Sequence, residues 1–140
     1  MPRVLLDTGP LVALLSVREA HHAWVTQRFS SWTRPCMTCE PVLTEAFHLL
    51  SRLRGGCAAL RSALKEGLIV LDFDLQTELE VVVALMERYE NVPMSLADAC
   101  LVRMAELSPG ASVFTLDEDF RIYRQNRTEP LALIAPVASS

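Results

Sequence analysis

Four acids carry most of the chemistry this chain has to offer: Asp7, Glu45, Asp98 and Asp117. Asp7 directly follows the apolar run Val4-Leu5-Leu6. Asp117, with Glu118 and Asp119, follows Val113-Phe114-Thr115-Leu116, and Asp72 and Asp74 follow Ile69-Val70-Leu71. An acid after a strand ordinarily caps a helix or starts a turn, which is the plainer account of any one of these. Asp98 is harder to dismiss. It lies in Leu96–Leu107, which is apolar nearly all round and therefore expected to be buried. An ionised carboxylate there costs several kcal/mol unless something compensates it. Ser95-x-x-Asp98 fits a capping box, but a capping box supplies no counter-charge. Glu45 falls on the polar side of its helix with His48 and Arg52, and taken alone reads as a solvated surface acid. Gathered in one pocket, these carboxylates would repel one another unless a cation neutralised them. Oxygen donors without a His or Cys cluster favour Mg²⁺ or Mn²⁺. Such an ion neutralises phosphate oxygens and activates water, which is the chemistry of phosphodiester hydrolysis.

The elements that must position these acids alternate in type. Short β-type runs are expected at 3–7, 35–39, 68–71, 112–116 and 131–134. Helices are expected from Gly9-Pro10, over 20–31, through Leu43–Leu53 to the stop at Gly55-Gly56, over 57–65, over 75–88, over 95–107 and over 117–125. In the helix over 75–88, Leu75, Leu79, Val82, Val83 and Met86 read as the inward face, with Glu78, Glu80, Glu87 and Arg88 outward. Strands alternating with helices predict a parallel sheet covered on both faces, with ligands beyond the carboxyl ends of the strands.

Composition narrows the class. With 140 residues, 51% hydrophobic and 21% charged, a single folded domain over 1–140 is expected rather than a disordered chain. No apolar run approaches a membrane span, and Asp7 interrupts the N-terminal apolar segment, so a cytoplasmic protein without leader or membrane contact is expected. The net charge of −4 is unevenly spread: residues 1–65 hold eight basic and four acidic side chains, residues 66–140 five basic and thirteen acidic. An acidic total does not forbid a local basic patch. Cys36-Met-Thr-Cys39 has the spacing of a metal half-site, but a lone pair is short of the four ligands of structural zinc, and burial near a strand is the simpler reading.

In this order the acidic segments resemble the motifs of PIN-domain proteins. Val4-Leu5-Leu6-Asp7-Thr8-Gly9-Pro10-Leu11-Val12-Ala13 resembles the opening motif, Thr44-Glu45-Ala46 the second, Ser95-Leu96-Ala97-Asp98-Ala99 the third and Phe114-Thr115-Leu116-Asp117-Glu118-Asp119-Phe120 the fourth. The resemblance spans almost the whole chain, and the size is similar to that of stand-alone VapC-type toxins. It implies a three-layer α/β/α sandwich around a parallel sheet of strand order 3-2-1-4-5, which puts Asp72 and Asp74 at the far edge. It implies a ribonuclease that uses Mg²⁺ or Mn²⁺, with Asp7, Glu45, Asp98 and Asp117 at the metal, and Asp119 as a further acid within reach. Thr8 and Thr115 are then expected to orient the carboxylates, and RNA cleavage is expected to leave a 3′-hydroxyl and a 5′-phosphate. A homodimer and a silencing antitoxin protein are the partners the resemblance implies.

RNA must also be held. Arg52, Arg54, Arg61 and Lys65 fall on consecutive helices of the basic half, with Arg61 and Lys65 four residues apart on one face, and form a candidate phosphate contact against the alternative of a solvated face. Arg121, Arg124 and Arg127 form a second, weaker candidate. A haloacid-dehalogenase-type phosphatase or a receiver domain is disfavoured, because the one lysine, Lys65, follows no strand and no second Asp stands two residues after Asp7. A catalytically idle PIN scaffold that binds RNA or a protein is the other reading.

Overall fold

The computed structural model describes residues 3–32 and 34–137, so residues 1–2, 33 and 138–140 of the expected 1–140 domain lie outside the described residues. Its centre is β1 (Val4–Leu6), all three residues buried, as a strand covered on both faces requires. On one side of β1 lie β2 (Cys36–Thr38) and then β3 (Ile69–Leu71); on the other lie β4 (Ser112–Phe114) and then β7 (Leu133–Ile134). Every pairing in this five-stranded sheet is parallel, with Leu5 opposite Met37 on one side and Val113 on the other. The order β3-β2-β1-β4-β7 is the expected 3-2-1-4-5 arrangement, its fifth position filled by the chain's seventh strand. Two short strands, β5 (Arg124–Gln125) and β6 (Glu129–Pro130), intervene as a separate antiparallel hairpin.

The helices are α1 (Thr8–Leu15), α2 (His22–Ser30), α3 (Glu40–Leu50), α4 (Gly56–Lys65), α5 (Leu75–Arg88) and α6 (Leu96–Leu107), and they cover both faces of the sheet. No described helix is long and apolar enough to cross a membrane. Helix α3 begins with Pro41 in its first turn and buries Val42, Leu43, Ala46 and Leu50. It ends at Leu50 rather than at the glycines, because the chain then closes three-residue turns, with the Leu53 N–H on the Leu50 carbonyl and the Gly56 N–H on the Leu53 carbonyl; Gly55 takes a left-handed φ of 76°, and a Cβ on Gly56 would stand 2.8 Å from the Leu50 carbonyl oxygen. The chain thereby turns straight into α4.

Two further expectations need correction. In α5 the buried residues are Val82 and Leu85, whereas Leu79 and Val83 are exposed. Glu78, expected outward, is largely buried and paired with Arg103 of α6 at 2.8 Å. The packed line through 78, 82, 85 and 89 is itself helical in spacing, and the half-buried Arg103 draws the acid inward. The second correction concerns 117–125, where only a single 3₁₀ turn forms at Glu118–Arg121. Phe120 and Tyr123 are both fully buried, and the Arg124 N–H is captured by the Tyr89 hydroxyl at 3.0 Å, which directs the chain into the hairpin. Asn126 and Arg127 supply its positive-φ turn.

Candidate functional site

Strand order reverses beside β1, since the chain runs outward through β2 and β3 before returning to β4. The residues after β1 and after β4 are therefore neighbours, although more than a hundred positions separate them. The Thr115 hydroxyl donates to Asp7 Oδ2 at 2.7 Å, and the Thr8 N–H donates to Asp7 Oδ1 at 2.8 Å. The same Thr115 oxygen accepts from the Asp117 N–H at 2.9 Å, tying the two strand ends together. Thr8 reaches further: its hydroxyl donates to Glu45 Oε2 at 3.4 Å. Both threonines predicted to orient carboxylates are buried and do contact them.

Asp98 arrives from the opposite wall. The capping box is real: Ser95 Oγ accepts from the Asp98 N–H at 3.0 Å and Asp98 Oδ2 accepts from the Ser95 N–H at 3.1 Å. A third bond comes from Tyr123, whose hydroxyl lies 3.2 Å from Asp98 Oδ2 and 2.7 Å from the Pro93 carbonyl oxygen. Sequence reasoning misses Tyr123, whose only signal is an aromatic three residues beyond Phe120. Asp117 and Asp119 sit in the turn after β4, where Asp117 Oδ1 accepts from the Asp119 N–H at 2.9 Å.

The acids, with Thr8 and Ser95, line one cleft of about 620 Å³, together with Leu49, Met94 and Leu116, while Thr115 and Tyr123 support it from behind. Asp7, Glu45, Asp98, Asp117 and Asp119 all contribute to it, and among the described residues no Lys, Arg or His does. Burial raises the Asp7 pKa to about 6, against the lowering effect of its bonds to Thr115 and Thr8, with Asp98 and Asp117 adding repulsion. Asp98 is raised as well, again chiefly by burial. Tyr123 is raised by burial and by the neighbouring Asp98, which keeps it a hydrogen-bond donor.

A hard cation suits this donor set. Five carboxylates face one space with no basic side chain among its lining residues, and the most buried of them holds its charge at a cost. Among the described residues, however, no three His, Cys, Asp or Glu side chains are grouped tightly enough to ligate one ion together. The arrangement therefore fits an ion that keeps much of its water, the usual habit of Mg²⁺, better than a dehydrated cage.

The other predicted residues lie elsewhere. Arg52, Arg54, Arg61 and Lys65 are exposed after α3 and on α4, and none lines the cleft. Of the weaker basic group, Arg121 pairs with Glu118 and Arg124 donates to the carbonyls of residues 121–123, so the fold itself occupies two of its three cations. Asp72 follows the edge strand β3 and pairs with Arg3, while Asp74 caps α5. Cys36 and Cys39 are buried free thiols, and Cys39 adjoins Cys100 of α6 rather than a second half-site.

Similarity to known proteins agrees with this architecture. The solved structure of the VapC20 toxin of Mycobacterium tuberculosis, described as cleaving the sarcin–ricin loop, matches with a TM-score of 0.74 at 19% identity, over 83% of this chain and 91% of that one. No curated protein sequence matches significantly. The PIN domain family model matches residues 4–125. On that match, which takes in all four acidic segments, the chain belongs to the PIN-domain family.

Proposed function

We propose that this protein is an endoribonuclease dependent on Mg²⁺ or Mn²⁺, the toxin of a type II toxin–antitoxin pair. The observation that carries the reading is the buried Asp7, raised to about 6, on the wall of a cleft that Glu45, Asp98, Asp117 and Asp119 complete without a basic residue. Asp7 and Asp98 with Glu45 and Asp117 are the residues to hold the ion, and Asp119 stands next to them. When bound, the ion supplies positive charge for the phosphate oxygens and makes an attacking water more acidic.

The chain's own residues do the positioning. Thr115 and the Thr8 N–H each occupy one oxygen of Asp7, which fixes the carboxylate plane before any ligand arrives. For Asp98 the Ser95 N–H and the Tyr123 hydroxyl both hold Oδ2, and Thr8 restrains Glu45. Leu49, Met94 and Leu116 give the cleft apolar walls, which strengthens electrostatic attraction inside it. Hydrolysis would leave a 3′-hydroxyl and a 5′-phosphate. The exposed Arg52, Arg54, Arg61 and Lys65 are proposed to hold more distant phosphates of the RNA. A homodimer, a protein antitoxin and a cytoplasmic site of action belong to the same reading. The likeness to a toxin that cuts the sarcin–ricin loop supports RNA as the substrate class.

One observation favours a second reading, a catalytically idle scaffold that binds RNA or a protein: no three described acids are grouped as direct ligands of one ion. Cleavage of RNA separates the two. The nuclease reading expects cleavage with Mn²⁺ that EDTA stops and Asp7→Asn abolishes. Cleavage that survives EDTA, or that Asp7→Asn retains, contradicts the proposed site.

A further inference from the structure

Beside the acid cleft lies a second, shallower groove of about 550 Å³, lined by Glu40, Pro41, Thr44, Glu45, His48, Leu75 and Leu96. Glu45 lines both spaces, so the groove opens next to the proposed cleavage site. Helix α3 offers Glu45 and Leu49 to the cleft, and Pro41, Thr44 and His48 to the groove. The first turn of α6 divides likewise, with Ser95 and Asp98 on one side and Leu96 on the other. The groove is mostly apolar, and Leu96 is exposed in it. Its polar rim includes Glu40, an exposed acid in the first turn of α3, for whose carboxylate no hydrogen bond or ion pair is formed among the described residues.

Resting on the ribonuclease reading above, we propose that this groove receives one unstacked nucleobase of the RNA next to the scissile phosphate, with guanine preferred. Sequence-selective proteins read RNA mainly through splayed-out bases that lie on flat side chains and expose their pairing edge. His48 offers a ring on which a base can lie, and Leu75, Leu96 and Pro41 give the groove apolar walls around it. Glu40 decides among the bases. A carboxylate accepts only, and guanine alone presents two adjacent donors, N1–H and the N2 amino group, to its two oxygens. Uracil meets it with one donor flanked by two carbonyl oxygens. The acid that would repel a phosphate therefore selects a base edge.

The test titrates the intact protein, in Mg²⁺, with guanosine, inosine, adenosine, cytidine and uridine 5′-monophosphates while the methyl resonances of Leu75 and Leu96 are followed by NMR. The expected result is a shift of both leucines by the guanosine nucleotide at roughly tenfold lower concentration than by the pyrimidine nucleotides. Inosine, which lacks the N2 amino group, should fall between, and Glu40→Gln should erase the ranking. Equal binding of all five, or shifts that miss both leucines, overturns the groove assignment even in a protein that cleaves RNA. Guanosine-selective shifts in a protein that never cleaves RNA would keep the groove and sink the nuclease reading instead.

Discussion

At the scale of single residues, Asp7 governs the account. Its carboxyl is raised from 3.8 to about 6 by burial, so in the metal-free protein its contribution to stability is fully present below pH 3.8 and is lost as pH rises through about 6. The loss amounts to about 3 kcal/mol, from roughly two pKa units at 1.36 kcal/mol each. Asp7→Asn should therefore be more stable than the parent in EDTA above pH 6, with the gap closing below pH 4; urea denaturation across that range checks it. A gap independent of pH would mean that Asp7 does not carry the buried charge. Thr115 is the second lever. Thr115→Val removes a bond that lowers the Asp7 pKa and strands the Asp117 N–H. It should cost about 1–3 kcal/mol of stability and weaken Mn²⁺ binding at neutral pH, with Thr115→Ser restoring both. Calorimetric titration with Mn²⁺ reads the effect.

At the scale of elements, local rules brought the acids to the correct ends of strands and helices. Ser95-x-x-Asp98 predicted its capping box, and the box forms. Ser95→Ala should cost about 1 kcal/mol by urea denaturation. It should reduce RNA cleavage by more than that loss explains, because the Asp98 N–H loses its Ser95 Oγ acceptor and the turn that carries the carboxylate loosens, while the Ser95 N–H and Tyr123 still reach Oδ2. A fall in activity no larger than the fall in folded protein would make the cap merely structural. Elsewhere local rules were overruled by partners distant in sequence. The 3.6-residue period found α5 and its inward Val82, Leu75 and Met86, but misplaced Leu79, Val83 and Glu78, because Glu78 looks solvent-bound until Arg103 of another helix is placed beside it. The stretch 117–125 has helical composition, yet two buried aromatics and the Tyr89 hydroxyl bend it into a turn and a hairpin. Glu45 is the same case in the site itself. It is exposed, as its position on the polar face predicts, and only the packing of α3 beside Thr8 turns that polar face toward the cleft.

At the scale of the whole molecule, topology does what no local pattern states. Reversal of strand order beside β1 sets Asp7 next to Thr115 and separates both from Asp72 at the sheet edge. Alternating strands and helices made the layered parallel sheet legible, but the strand order came through resemblance and not through periodicity. Charge is divided on the same scale, with a cleft lined by acids and Arg61 and Lys65 exposed on one face of α4. If that face holds RNA, joint reversal of Arg61 and Lys65 to Glu should weaken binding and lower the salt slope by about one for each phosphate no longer neutralised. An unchanged slope removes the face from the account. The central claim is that the acid cleft is a metal site, and Mn²⁺ soaked into crystals and located by anomalous scattering tests it most directly. The account predicts a peak in the cleft between Asp7 and Asp98 that vanishes in Asp7→Asn. A cleft without a peak at saturating Mn²⁺, in crystals of protein that cleaves RNA in solution, would contradict it.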